Sequence, residues 1–146
     1  MNLASMAFGM AAILAAAAPA LAANVDVQEL NKGDQGAFVF QPDLVKIAVG
    51  DTVTFQPTDK GHDVDGAAGN IPATAAPFKS ALSQPLTQTF TVPGVYLVKC
   101  DPHYGLGMLA VVVVGDDLSN LDAIKAIKNP ATAHARLDEI LEQLKK

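Results

Sequence analysis

The sequence predicts a mainly β domain, a sandwich or barrel of short strands, followed by two α-helices. Between Asn24 and Gly115, apolar and polar residues alternate in short runs rich in valine, threonine and phenylalanine. Glycine, proline, asparagine and aspartate separate these runs at the spacing typical of all-β domains. After Gly115, apolar residues recur at helical spacing instead. The length of 146 residues suits one such domain.

Residues 1–22 have the features of a cleaved secretory signal peptide. The segment is uncharged, and its apolar run ends at Pro19 and the small-residue site Ala20-Leu21-Ala22. It lacks the usual Lys or Arg near its start. A retained membrane anchor is the alternative, but the run falls short of the roughly 20 apolar residues that a spanning helix needs. We expect cleavage after Ala22 or Ala23 and a mature domain over residues 23–146.

The predicted strands differ in how they are buried. The run 44–49 places Val45, Ile47 and Val49 on one face, whereas the continuous apolar run 108–114 indicates a strand buried on both faces. The stretch 66–77, rich in Ala, Gly and Pro, is predicted to be a loop. The complete set of predicted strands covers 25–30, 38–40, 44–49, 52–55, 86–92, 95–99 and 108–114.

Two helices are predicted over residues 118–146. Asn129 and Pro130 suit the N-cap and the first position of the second helix. Each helix carries one apolar stripe, and we expect both stripes to pack onto the sandwich. The stripes consist of Leu118, Leu121, Ile124 and Ile127 in the first helix, and Leu137, Ile140, Leu141 and Leu144 in the second.

Charge and cysteine content narrow the class of function. The net charge of −5 disfavours a general nucleic-acid binder, which needs a basic surface. Cys100 is the sole cysteine, although exported proteins usually pair their cysteines and a lone exported thiol is prone to oxidation. Cys100 is therefore buried and inert, catalytic, or protected by a metal.

This cysteine is accompanied by a methionine and two histidines that could bind a metal ion with it. Cys100, His103 and Met108 have the spacing C-x2-H-x4-M between two predicted strands, and His62 lies in a glycine-flanked loop upstream. Two imidazoles, a thiolate and a weak thioether are the ligand set of a blue-copper site. Zinc rarely uses methionine, and the C-x-x-C-H sequence for haem attachment is absent. His134, by contrast, is predicted to be a surface residue.

Two other functions use the same residues. A thiol enzyme would use Cys100 as nucleophile with His103 or His62 as base, but that leaves no role for Met108. A copper storage or delivery protein would need Met-rich or Cys-rich motifs, which a single cysteine does not provide.

The sequence around these donors resembles the cupredoxins, the type 1 blue-copper family, and in particular their pseudoazurin group. The resemblance rests on Tyr96 to Met108 (YLVKCDPHYGLGM), on Asp59-Lys60-Gly61-His62, and on the two helices after Gly115, which plastocyanins lack. It implies a Greek-key β-sandwich with one type 1 copper ion at one end. It also implies a monomeric periplasmic electron carrier that is not an enzyme. The implied copper ligands are His62, Cys100, His103 and Met108.

The resemblance also implies partners and a docking face. Copper nitrite reductase and c-type cytochromes are expected to dock transiently, whereas nucleic acid and, after signal cleavage, membrane are not expected partners. An apolar surface ringed by lysines is expected beside His103, comprising Lys32, Lys60, Lys79, Lys99, Pro102 and Leu106.

Three residues near the implied site depart from the family pattern. Asp63 stands where the family typically has Asn, and Asp101 where it has Thr or Ser, so we expect these two carboxyl groups to meet and share one proton. Phe38 stands where methionine is usual, and its ring is expected to pack near His103.

Overall fold

The computed structural model describes residues 20–146, so the predicted signal segment 1–22 lies almost entirely outside the described residues. The described chain forms two β-sheets, two α-helices and one short 3-10 helix. Within it, no helix combines the length and apolar character needed to cross a membrane. One sheet has the strand order β2-β1-β4-β7. Its strands are β1 (Asn24–Gly33), β2 (Gly36–Gln41), β4 (Thr52–Gln56) and β7 (Leu86–Thr89).

The second sheet has the order β3-β9-β8-β5-β6. β1 and β4 pair in parallel, as do β3 and β9, and the other pairs are antiparallel. The chain passes between the two sheets repeatedly, and the predicted Greek-key sandwich with two C-terminal helices is confirmed. The strands of this sheet are β3 (Leu44–Ile47), β5 (Asp65–Gly66), β6 (Phe78–Lys79), β8 (Gly94–Lys99) and β9 (Leu109–Val114).

β9 is buried on both faces, as its continuous apolar sequence predicts. Successive side chains of a strand point to opposite faces, so β9 contributes to two apolar layers. Ala110, Val112 and Val114 belong to the core between the sheets. Leu109, Val111 and Val113 pack on the other face against α1 (Leu121–Lys125) and α2 (Ala131–Gln143). The predicted packing of the two apolar stripes onto the sandwich is confirmed except at Leu118, which is 44% exposed.

Several local predictions differ from the structure. β1 continues beyond its predicted end and pairs with β2 up to Gly33 opposite Gly36. β5 and β6 contain two residues each, too short for a periodic pattern to predict. Asn129 does not cap α2: Pro130 occupies the N-cap position, and Oδ1 of Asn129 accepts a hydrogen bond from the Tyr104 hydroxyl instead.

Candidate metal centre

Cys100 and Met108 meet at one end of the sandwich because they flank two neighbouring strands. Cys100 directly follows β8 and Met108 directly precedes β9, and these strands are antiparallel. The backbone N–H of Cys100 donates to the carbonyl of Met108 at 3.1 Å, and that of Met108 donates to the carbonyl of His103 at 3.2 Å. The segment between the two sulfur residues is therefore closed by its own backbone.

This connecting segment, predicted as a loop, is a short 3-10 helix over Asp101–Leu106 with a proline in its first turn. It ends at Gly107, whose φ of 93° is unfavourable for residues with a Cβ. A Cβ at Gly107 would also lie 3.1 Å from the side chain of Thr132 in α2. The 3-10 helix is thus seated against α2, and the bond from Tyr104 to Asn129 adds a second attachment.

His62 reaches the same end of the sandwich from the loop after β4, where it is completely buried. Its Nε2 lies 3.0 Å from Oδ1 of Asn31. An amide oxygen can only accept, so Nε2 carries the proton and Nδ1 keeps its lone pair. The backbone N–H of Asn31 also holds the loop by donating to Oδ2 of Asp59 at 2.7 Å. The role of Asn31 was not predicted from the sequence.

The predicted donor atoms converge. Nδ1 of His62 lies 3.1 Å from Nδ1 of His103, and the two nitrogens lie 3.8 Å and 3.5 Å from Sγ of Cys100. His62, Cys100 and His103 are close enough together to hold one metal ion, and they are the group of this kind found among the His, Cys, Asp and Glu residues of 20–146. Met108 is fully buried in the same core cluster as Cys100. His134, in contrast, lies exposed on α2.

Burial sets the protonation of these donors. It raises the pKa of the Cys100 thiol to about 11, so the thiol keeps its proton at neutral pH in the copper-free protein. Burial, followed by the charge of His103, lowers the pKa of His62, which favours a neutral imidazole. A fully buried, protonated thiol is a poor nucleophile, and this observation disfavours a thiol enzyme. A soft metal ion would displace that proton on binding.

The expectation that Asp63 and Asp101 share a proton is wrong. Oδ1 of Asp63 accepts a hydrogen bond from the backbone N–H of Asp101 at 2.7 Å. The Asp101 carboxylate turns instead to two lysines, pairing with Lys79 and accepting from Nζ of Lys99 at 2.7 Å. Hydrogen bonds from these lysines hold the pKa of Asp101 at about 2. The loops are therefore bridged by a carboxylate and a backbone amide.

Phe38 packs against His103, as expected from the sequence. Their rings are stacked, with centroids 4.3 Å apart and an interplanar angle of 18°. Phe38 has a φ of 53°, a value that is rare for a bulky residue and marks a strained backbone position. The strained backbone places an aromatic ring where it restricts rotation of the imidazole.

Comparison with known proteins agrees with this geometry. Residues 27–115 match the family model of copper binding proteins of the plastocyanin/azurin family. The chain is 46% identical to pseudoazurin from Paracoccus pantotrophus over 140 residues, covering 96% of this chain and 97% of that protein. The chain belongs to the plastocyanin/azurin family, in its pseudoazurin group.

Solved structures place the fold in the same group. The pseudoazurin structure from Methylobacterium extorquens AM1 matches with a TM-score of 0.80 at 42% identity, covering 83% of this chain and 98% of that one. Native pseudoazurin from Hyphomicrobium denitrificans matches with a TM-score of 0.77 at 40% identity, covering 82% and 97%. The protein is accordingly a cupredoxin and a copper electron-transfer protein.

The residues present suit copper on chemical grounds. The site offers two imidazole nitrogens, a thiol that can become a thiolate, and a buried thioether, and copper combines with this mixture of nitrogen and soft sulfur donors. Because Nε2 of His62 donates to Asn31, the lone pair on its Nδ1 is directed toward His103 and Cys100. The cofactor of this pseudoazurin-type protein is therefore copper.

The residues expected to dock a partner have different surroundings. Pro102 and Leu106 are exposed on the same 3-10 helix as the half-buried His103. Lys79 and Lys99 are engaged by carboxylates, Lys79 with Asp63 and Asp101, and Lys99 with Asp65 and Asp101. Lys32 and Lys60 are exposed and form no ion pair within the described part of the chain.

Proposed function

We propose that this protein carries single electrons in the periplasm, with one copper ion bound by His62, Cys100, His103 and Met108. The observation that carries the proposal is the convergence of two imidazole Nδ1 atoms and one Sγ within 4.8 Å of one another. We propose that the predicted signal segment 1–22 directs export and is cleaved after Ala22 or Ala23, and that the mature chain acts as a monomer.

The side chains are suited to keep one ligand geometry in both oxidation states. Bound copper would supply a one-electron Cu(I)/Cu(II) couple. Asn31 fixes the tautomer of His62, and Phe38 stacks on His103. Backbone bonds join Cys100 to Met108. Because each donor is held by the fold rather than by the metal, little movement needs to accompany electron transfer, which favours rapid exchange.

We further propose that electrons enter and leave through His103. It is the partly exposed member of the histidine pair, and Pro102 and Leu106 provide exposed apolar surface on the same turn. An outer-sphere transfer needs only close approach of a partner to this surface, without a substrate at the metal. A copper nitrite reductase or a c-type cytochrome is the proposed partner, consistent with the resemblance of the ligand loops to those of pseudoazurins.

Copper titration of the purified copper-free protein tests the function. We expect one copper ion per chain, an intense blue colour, and a reversible one-electron wave in voltammetry. Colourless uptake of several copper ions would instead indicate storage. Turnover of a substrate by the copper-free protein, abolished by a thiol-blocking reagent, would indicate a Cys100 enzyme.

A second prediction concerns docking. Lys60→Glu should slow electron transfer to an acidic-faced nitrite reductase several-fold at low salt, because Lys60 carries an exposed, unpaired positive charge. The effect should shrink as salt rises, since screening acts over roughly 10 Å at 0.1 M. The salt dependence of the wild type should itself be modest because Lys79 and Lys99 are neutralised by carboxylates. Stopped-flow association rates measure both.

Lys125→Glu is the matched control for Lys60→Glu. Lys125 is the last residue of α1. Asn120, just before α1, is hydrogen-bonded to Val95 near the start of β8. Cys100 follows the opposite end of β8, so Lys125 lies away from the metal site. A charge reversal there should leave the rate nearly unchanged. Equal slowing by both variants would contradict a localised docking face.

A further inference from the structure

Glu29 is an ionisable residue inside the core between the two sheets. It is completely buried, and within the described residues neither of its carboxylate oxygens has a hydrogen-bond partner. Its neighbour across the β1–β2 pair is Phe40, which is also buried. A charged carboxylate without partners in apolar surroundings is strongly disfavoured. The side chain is therefore expected to bind a proton readily.

The position of Glu29 in β1 brings it close to the copper site. Side chains two residues apart on a strand share a face and lie about 7 Å apart. Asn31, two residues further along β1, is hydrogen-bonded to His62. The carbonyl of Glu29 also accepts a hydrogen bond at 3.1 Å from Asp59, at the start of the loop that carries His62. Glu29 is thus hydrogen-bonded through its backbone to the loop that carries His62, and it lies two residues from the partner of His62.

The ionisable groups that face Glu29 are acidic. Burial, followed by the negative charge of Asp63 in the loop after β4, raises the pKa of Glu29 to about 7. The charge of Glu29 also contributes to the raised pKa of the Cys100 thiol, which lies just after the end of β8. Within residues 20–146, no lysine or arginine pairs with Glu29. A change of charge at Cys100 should therefore alter the protonation of Glu29.

We propose that Glu29 is a proton-binding site coupled to the redox state of the copper site. The inference rests on the ligand assignment above. With Cys100 as thiolate, the site carries one net positive charge with Cu(II) and none with Cu(I). On reduction, one electron enters the site and the Glu29 carboxylate takes one proton from solvent to form an O–H bond. On oxidation, the electron leaves and that proton returns to solvent.

The first test compares the midpoint potential of the copper-loaded wild type and Glu29→Gln across a range of pH. The wild-type potential should fall as pH rises through neutrality, because loss of the proton adds negative charge that stabilises Cu(II). A tenfold change in proton concentration can shift the redox equilibrium by at most tenfold, or about 59 mV. Glu29→Gln should lose the part of this slope that comes from Glu29. If the wild type and Glu29→Gln are both blue and their potentials have the same pH dependence, the inference is overturned and the proposed function is not.

The second test uses the copper-free protein and so does not depend on copper ligation. The pKa of Glu29 is raised from 4.5 to about 7 on folding, so between these pH values the folded chain binds a proton that the unfolded chain lacks. Stability gained from this proton is complete below pH 4.5 and is lost as pH rises to about 7. Urea unfolding should show this fall in the wild type and not in Glu29→Gln.

Glu29→Met provides a second variant in case the glutamine amide, also without partners, prevents folding. Methionine is unbranched and adapts to apolar surroundings, so this variant should fold and should likewise lack the pH-dependent loss of stability. The same pH dependence in the wild type and in the folded variants would overturn the inference. A wild type that shows the stability change but binds no blue copper would overturn the proposed function, and with it the coupling.

Discussion

Replacing Cys100 by serine is expected to abolish the intense blue colour of the copper-loaded protein. The colour of such a site comes from charge transfer between a thiolate and copper, and Cys100 is the sole cysteine of the chain. Cys100 is fully buried, and serine is nearly the same size, so the fold should tolerate the replacement. Visible absorption after addition of one equivalent of copper measures the effect.

Two other variants serve as comparisons for Cys100→Ser. His134→Ala should keep the full colour, because His134 is exposed on α2 and lies next to Asp138 rather than near the metal centre. Met108→Gln should also remain coloured but should have a lower potential, since a harder amide oxygen in place of a thioether favours Cu(II). A Cys100→Ser protein that remains fully blue would contradict the assignment of the thiolate ligand.

The donor set could be predicted because its main part is local. Cys100, His103 and Met108 lie in one segment, so their proximity depends only on two neighbouring strands turning back on each other. His62 is distant in sequence, but its glycine-flanked position after a strand indicated a loop at the end of the sandwich. The spacing of apolar residues predicted the strands and the helices for the same reason, since each periodic pattern is complete within one element.

The surroundings of Asp101 could not be predicted, because they depend on pairing between distant segments. Lys79 lies in β6, a strand of two residues that reaches this site through β5 and β8. The sequence shows two acidic residues replacing two neutral ones, which suggests a shared proton. In the folded chain the nearest charges to Asp101 are lysines, and a carboxylate beside two ammonium groups stays ionised.

The inward position of Glu29 is visible in the sequence. Val25 and Val27 alternate with polar residues, so Glu29 occupies the next inward position of β1. A charged residue at an inward position is unusual, because it must be neutralised or paired. Which end of the core it occupies depends on the parallel register of β1 with β4, where Gln28 lies opposite Gln56. That long-range register is not visible in the sequence.

A mutation in the second apolar layer is expected to separate stability from the metal site. Leu137→Ala should lower the free energy of unfolding of the copper-free protein by about 3 kcal/mol, because it leaves a cavity between α2 and the sheet. Leu137 is completely buried against the outer faces of β8 and β9. The urea midpoint should fall with an unchanged m-value. The colour of the copper-loaded variant should be retained, since the copper ligands lie elsewhere.

Leu118→Ala is the matched control for Leu137→Ala. Leu118 is 44% exposed, and its truncation should change the free energy of unfolding by no more than about 0.5 kcal/mol. Similar small losses in both variants would show that α2 contributes little to the fold. A Leu137→Ala protein that also loses its colour would show instead that α2 maintains the site, through Thr132 beside Gly107 and Asn129 beside Tyr104. The predicted result, lower stability with unchanged colour, requires that these contacts survive a cavity further along the helix.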